Sequence, residues 1–107
     1  MILFSVCLFL TAGIYAQQII YVSSSATGTG SGVSWTDAFT DFQAGVNAAV
    51  SGDAVFVAGG IYQPASGQSF FMKDGVKIYG GFAGTEGSLS ERNLAAGDTS
   101  ILKGSGY

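Results

Sequence analysis

Glu86, Glu91 and Arg92 are residue types that could do chemistry, because two carboxylates flanking a glycosidic bond can serve as general acid and base. All three fall in "AGTEGSLSERNLAAGD", residues 83–98, a polar stretch with neither strand nor helix period. Nearness in sequence does not oppose two carboxylates across a substrate, and the simpler expectation is a solvated loop with an Arg–carboxylate contact. Asp53, Asp74 and Asp98 recur along the chain and raise the idea of a calcium ladder. Calcium takes about six to eight oxygens in one place. One aspartate per repeat supplies far fewer, so these read as turn residues that bond to nearby amides. Gly28, Gly30 and Gly32 miss the GxGxxG spacing, and no Lys-Ser/Thr follows to complete a phosphate loop. Tyr62, Phe70, Phe71, Tyr79 and Phe82 offer rings on which a sugar could stack, although some of them must fill a core. The sequence therefore assigns no catalytic, cofactor-binding or metal-binding residue and implies no cofactor.

Composition narrows the class. Lys73, Lys77, Arg92 and Lys103 are the only cations and form no run, so the basic stripe that nucleic acid requires is missing. Charged residues make up 10% of the 107, against roughly 25% in an ordinary domain, while glycine is abundant. That balance suits turn-dense β-structure outside the cell. The opening "MILFSVCLFLTAGIYA", residues 1–16, is an apolar run closing on small residues and reads as a secretory signal peptide cleaved before Gln17, although it lacks the usual basic n-region. Cleavage would remove Cys7, the one cysteine, and leave neither a thiol nor a transmembrane span.

The elements that would position any site follow in two parts, residues 17–52 and 53–107. Ile19 to Val22 reads as a strand, and "SATGTGSGVS" as a loop. From Trp35 to Val50 the apolar residues Trp35, Ala38, Phe39, Phe42, Val46, Ala49 and Val50 recur at helical spacing, with Ser34 as the expected cap, Asp37 completing it and Gly45 a weak point. Beyond Asp53 the period changes to two. "GDAVFVAGG" and "DGVKIYGG" repeat at an interval of 21 residues, and "DTSILKGS" follows as a degraded third copy. The alignment places Val57, Ile78 and Leu102 in one ladder and Val55 with Val76 in another, with Lys77 marking a solvent face. One short strand per repeat predicts a β-solenoid, with the amphipathic helix covering the open edge of its first rung.

"IYVSSSATGTGSGVSWTDAF", "SGDAVFVAGGIYQP" and "GVKIYGGFAGTE", in that order, resemble the N-terminal part of right-handed parallel β-helix proteins of the pectin-lyase-like type, bacterial proteins that are secreted or displayed at the cell surface, including the cell outer membrane. The resemblance implies an all-β fold, a right-handed parallel β-helix with an N-terminal capping helix and two to three rungs, truncated after residue 107. It also implies downstream rungs and an anchoring domain. The role expected is structural, adhesive or carbohydrate-binding. The alternative is the base of a secreted polysaccharide lyase or glycoside hydrolase whose active site lies on later rungs. Expected partners are polysaccharides or cell-surface ligands, with self-association through the open last rung, and no nucleic acid.

Overall fold

A computed structural model describes residues 17–65, 67–94 and 97–103; the expected signal segment, residues 1–16, lies outside the described residues. The elements in chain order are strand β1 (Ile19–Val22), helix α1 (Phe42–Ala48), strands β2 (Ala54–Ala58), β3 (Gly60–Tyr62) and β4 (Lys77–Phe82), a 3-10 turn at Leu89–Glu91, and strand β5 (Ser100–Leu102). They form two small parallel sheets, one of three strands in the order β1-β2-β4 and one of two strands, β3-β5.

This architecture corrects the expected right-handed parallel β-helix. Among the described residues there are no stacked rungs, and the residues expected in one ladder do not form one. Val57 sits beside Val22, Ile78 beside Val55, and Leu102 beside Tyr62 in the other sheet. The cause lies in the glycine pairs, which are alike in sequence and different in use. At Gly59-Gly60 the chain leaves β2 and starts β3 in a second sheet, with Gly60 at φ 151°, where a side chain is strained. Gly80 and Gly81 stay inside β4, where the ladder to β2 is irregular between Phe56 and Ala58. The third copy then joins β3 and not β4, and the Ser100 hydroxyl donates to the carbonyls of Val57 and Ala58, both at 2.9 Å.

Register is corrected as well. Val55 was expected beside Val76 and lies beside Ile78, two residues along. A slip of two preserves the facing of every side chain, so periodicity cannot detect it. Backbone bonds from Lys77 to the Asp53 carbonyl (3.1 Å) and from Gly52 to the Gly75 carbonyl (2.8 Å) hold the observed pairing.

Both faces of the larger sheet are covered. Val55 is 0% and Phe56 3% exposed; Lys77 itself is exposed, but the rest of its face is a second core. On the first face, Ile20, Val22, Val55 and Val57 pack against Phe42, Val46 and Ala49 of the helix segment and against Tyr62. On the other, Ala54, Phe56 and Phe82 meet Ile19, Tyr21, Trp35 and Tyr79, with the rings of Phe56 and Phe82 stacked at 4.4 Å. Central strands of parallel sheets are buried on both sides and read as continuous apolar runs, as "AVFVA" does.

The helix is shorter than its periodicity predicts. Residues 35 to 41 form bends, one turn and a bridge to β1, because the backbone of Phe39 is taken by β1: its amide donates to the Tyr21 carbonyl (2.9 Å) and its carbonyl accepts from Ser23 (2.8 Å). Helix formation starts only after Asp41, whose carboxylate accepts from the Ala44 amide at 2.9 Å as N-cap. Lys73 closes the far end, donating to the carbonyls of Asn47 (3.1 Å) and Ala49 (2.6 Å). The outer edge of β1 is covered not by this helix but by Gly32 and Phe39, which bond to Tyr21 and Ser23.

Candidate functional site

The residues with catalytic potential are held by their own backbone. The Glu86 carboxylate accepts from the amides of Ala83 (2.8 Å), Gly84 (2.9 Å) and Thr85 (3.0 Å), and Glu91 from that of Gly87 (2.9 Å). Burial pushes Glu86 upward, but the amides of Ala83, Thr85, Glu86 itself and Gly84 outweigh it and hold the carboxyl below its ordinary 4.5. Arg92 donates to the Gly80 carbonyl at 2.9 Å and lies over the rings of Tyr79 (5.8 Å) and Phe82 (5.6 Å). The three residues thus brace one loop and do not face each other across a cleft.

The aspartates do not converge. Asp53 is buried and accepts from the amides of Gln18 (3.1 Å) and Val50 (3.0 Å), which ties β1 and the end of the helix segment to the start of β2. Among the described residues no group of three or more acidic, histidine or cysteine side chains could hold a metal ion. In the glycine-rich loop, the Gly28 amide donates to the Thr36 carbonyl (2.9 Å) and that of Thr29 to Asp37 (2.9 Å), so those donors serve the loop itself.

Of the rings expected to stack on sugars, Phe82 is fully buried and Tyr62 nearly so, with the Tyr62 hydroxyl donating to the Ala58 carbonyl at 2.8 Å. Burial pushes the Tyr62 phenol above its ordinary 10.0, against bonds to Ser24 that pull it down. Tyr79 and Phe70 are half-buried, and Phe71 is exposed. None of the five lines the polar groove described next.

That groove, of about 210 Å³, is lined by Ser23, Ser25, Ala26, Thr27, Trp35, Thr36, Ala83 and Gly84. Each wall has an identifiable support. Ser23 directly follows β1, and its amide donates to the Phe39 carbonyl at 2.8 Å. Trp35 is wedged edge-on to Tyr21 (4.8 Å between ring centroids) and tilted against Phe82 (5.4 Å), and its indole N–H donates to the Glu86 carbonyl at 2.7 Å. Glu86 in turn gathers the amides of Ala83 and Gly84, the opposite wall. The result is a concave surface lined by serines, threonines and an indole, with no charged side chain, in which the Ser23 and Ser25 hydroxyls bond to each other at 3.3 Å. Such a surface can hydrogen-bond a neutral polyol and offer it an apolar contact. Sequence reasoning assigned Trp35 to a helix face and missed this role. The signal available was its setting: an isolated tryptophan between Ser34 and Thr36, close after the hydroxyl-rich "SSSATGTGSGVS".

No family model, curated protein or solved structure matches this chain. Among the described residues no helix is long and apolar enough to cross a membrane.

Proposed function

We propose that this chain belongs to a secreted or cell-surface protein and contributes an adhesive, carbohydrate-binding surface, with neutral saccharides held in the groove beside Trp35. The observation that carries the reading is the lining itself: Ser23, Ser25, Thr27 and Thr36 share one groove with Trp35, and no charged side chain lines it. Binding is favoured over bond cleavage because Glu86 and Glu91 are occupied by backbone amides. The low charge content and the apolar opening segment support an extracellular setting.

Trp35 is the only tryptophan, so tryptophan fluorescence reports on this one wall of the groove and the core behind it. Titration with soluble neutral glucan, mannan and galactan oligosaccharides should shift or quench its emission saturably, and a polyuronate should not. Ser25→Ala combined with Thr27→Ala should weaken that response about tenfold, the loss of one or two hydrogen bonds of ordinary strength. An emission spectrum indifferent to every neutral saccharide would end the proposal.

A further inference from the structure

We infer that Glu86 and Asp37 are the specificity-determining residues of the groove beside Trp35: neither enters it, and their carboxylates, set next to its walls, make it refuse anionic sugars and leave it to neutral ones. The saccharide part of this inference rests on the binding role proposed above, whereas the exclusion of anions stands on the charges alone.

Glu86 stands against one wall. Its carboxylate accepts from the amides of Ala83 (2.8 Å) and Gly84 (2.9 Å), both lining residues, and from that of Thr85 (3.0 Å). Gly84 has φ 104°, a conformation that lets successive amides turn toward one anion. The Glu86 carbonyl meanwhile receives the Trp35 indole N–H at 2.7 Å, which ties the same residue to the aromatic wall. Asp37 directly follows Thr36, another lining residue, and accepts from the Thr29 amide at 2.9 Å. A Cβ placed on Gly28 would run into the Asp37 carboxylate, which therefore lies against the backbone next to Thr27. One anion thus adjoins Ala83 and Gly84, and the other adjoins Thr27 and Thr36.

Backbone amides hold these carboxylates in their ionised form without cancelling the charge. For Glu86 the amides of Ala83, Thr85, Glu86 itself and Gly84 do so, with no cation taking part. Arg92, in the same loop, is committed elsewhere, to the Gly80 carbonyl and the rings of Tyr79 and Phe82. No lysine or arginine lines the groove. Two negative charges therefore act on whatever occupies it, well inside the screening length of about 8–10 Å in ordinary salt. A charge at this range near a protein surface weakens the binding of an anion by about fivefold, and the pair by about 25-fold.

Two measurements on the purified full chain test this. In the first, Trp35 emission follows titration with the methyl glycosides of glucose, mannose and galactose, each against the glycoside of its uronic acid, which differs only in a carboxylate at C6. The wild type should prefer the neutral member by about 25-fold. Glu86→Gln and Asp37→Asn each keep a side-chain oxygen for the backbone amides and remove the charge, so each should narrow the preference about fivefold and the double substitution should erase it. A preference that survives the double substitution overturns the inference.

The second measurement needs no sugar and separates charge from shape. Trp35 is quenched with iodide, caesium and acrylamide at constant ionic strength. The double substitution should raise quenching by iodide, lower quenching by caesium and leave acrylamide unchanged. Thr85→Lys, on an exposed side chain beside Glu86 with the bracing amides kept, should move iodide and caesium in the same directions. Iodide quenching equal in the wild type and the double variant overturns the inference, and so does a rise with all three quenchers, which would mean that the substitutions merely open the loop. If no glycoside binds the wild type, the groove does not serve saccharides, and the contrast between iodide and caesium alone decides whether the two carboxylates exclude anions.

Discussion

Glu86 shows how one side chain can set the shape of a site without entering it. Its carboxylate collects three consecutive amides and its carbonyl holds the indole of Trp35, so both walls of the hydroxyl groove hang from one residue. Because the folded state holds this carboxyl below its ordinary value, its contribution is present above pH ~4.5 and is lost as pH falls through the depressed value. Trp35 emission should therefore change in acid before the far-ultraviolet signal does, and Glu86→Gln should abolish that early step. Coincident transitions would show that the loop has no separate stability. Tyr62 works in the opposite direction. Its phenol is raised, so its contribution is complete below pH ~10 and declines as pH rises past it. Tyr62→Phe should flatten the alkaline loss of thermal stability. It should also lower stability at neutral pH by about 1 kcal/mol, because the Ala58 carbonyl loses a buried partner.

At the scale of elements, Gly45 reverses an inference from helix propensity. Alanine in mid-helix is ordinarily better than glycine by about 1 kcal/mol. Here a Cβ would meet the Val22 side chain at 2.4 Å, because the helix lies directly on β1. Gly45→Ala should accordingly lower the melting temperature, at a cost of about 1–3 kcal/mol for overpacking, and a rise would mean that the two elements can part freely. The strands of the larger sheet were legible because Ile19–Val22 is a β-branched and aromatic run, and Ala54–Ala58 and Lys77–Phe82 contain short runs of β-branched and aromatic residues that repeat ahead of a glycine pair. The helix was legible and its start was not. Ser34 does accept from the Asp37 amide at 3.1 Å, which imitates a cap, but the backbone of Phe39 is drawn to the edge of β1 before a helix can propagate. That competition is between segments distant in sequence, and no local pattern records it.

For the molecule as a whole, the expected solenoid failed at the assignment of strands to sheets. The repeats of Asp, aliphatic residues and paired glycines are real, yet identical pairs turn the chain at Gly59-Gly60 and continue a strand at Gly80-Gly81. Which outcome occurs depends on what each pair meets: Ser100 beside Gly80, and Thr99 with Asp98 beside Gly59. The groove was equally hidden, since its walls come from residues 23–27, 35–36 and 83–84 and meet only in the fold. Burial on both faces also ranks the core. Val55→Asp, at a fully enclosed position, should abolish folding, whereas Ile78→Asp, half-covered at the outer strand, should lower the melting temperature and leave a folded chain. Equal losses in the two variants would show that the outer strand is as enclosed as the middle one.

The middle strand of the larger sheet is contributed by residues well along the chain, and its first neighbour by residues far earlier. Gln18 and Asp53, whose contact fastens the two, are 35 positions apart. As the polypeptide is made from its N-terminus, the groups of Ile19–Val22 that face β2 must therefore wait until Val57 has emerged, while Gly32 and Phe39 can bond its other edge earlier. Contacts of such separation are slow to form.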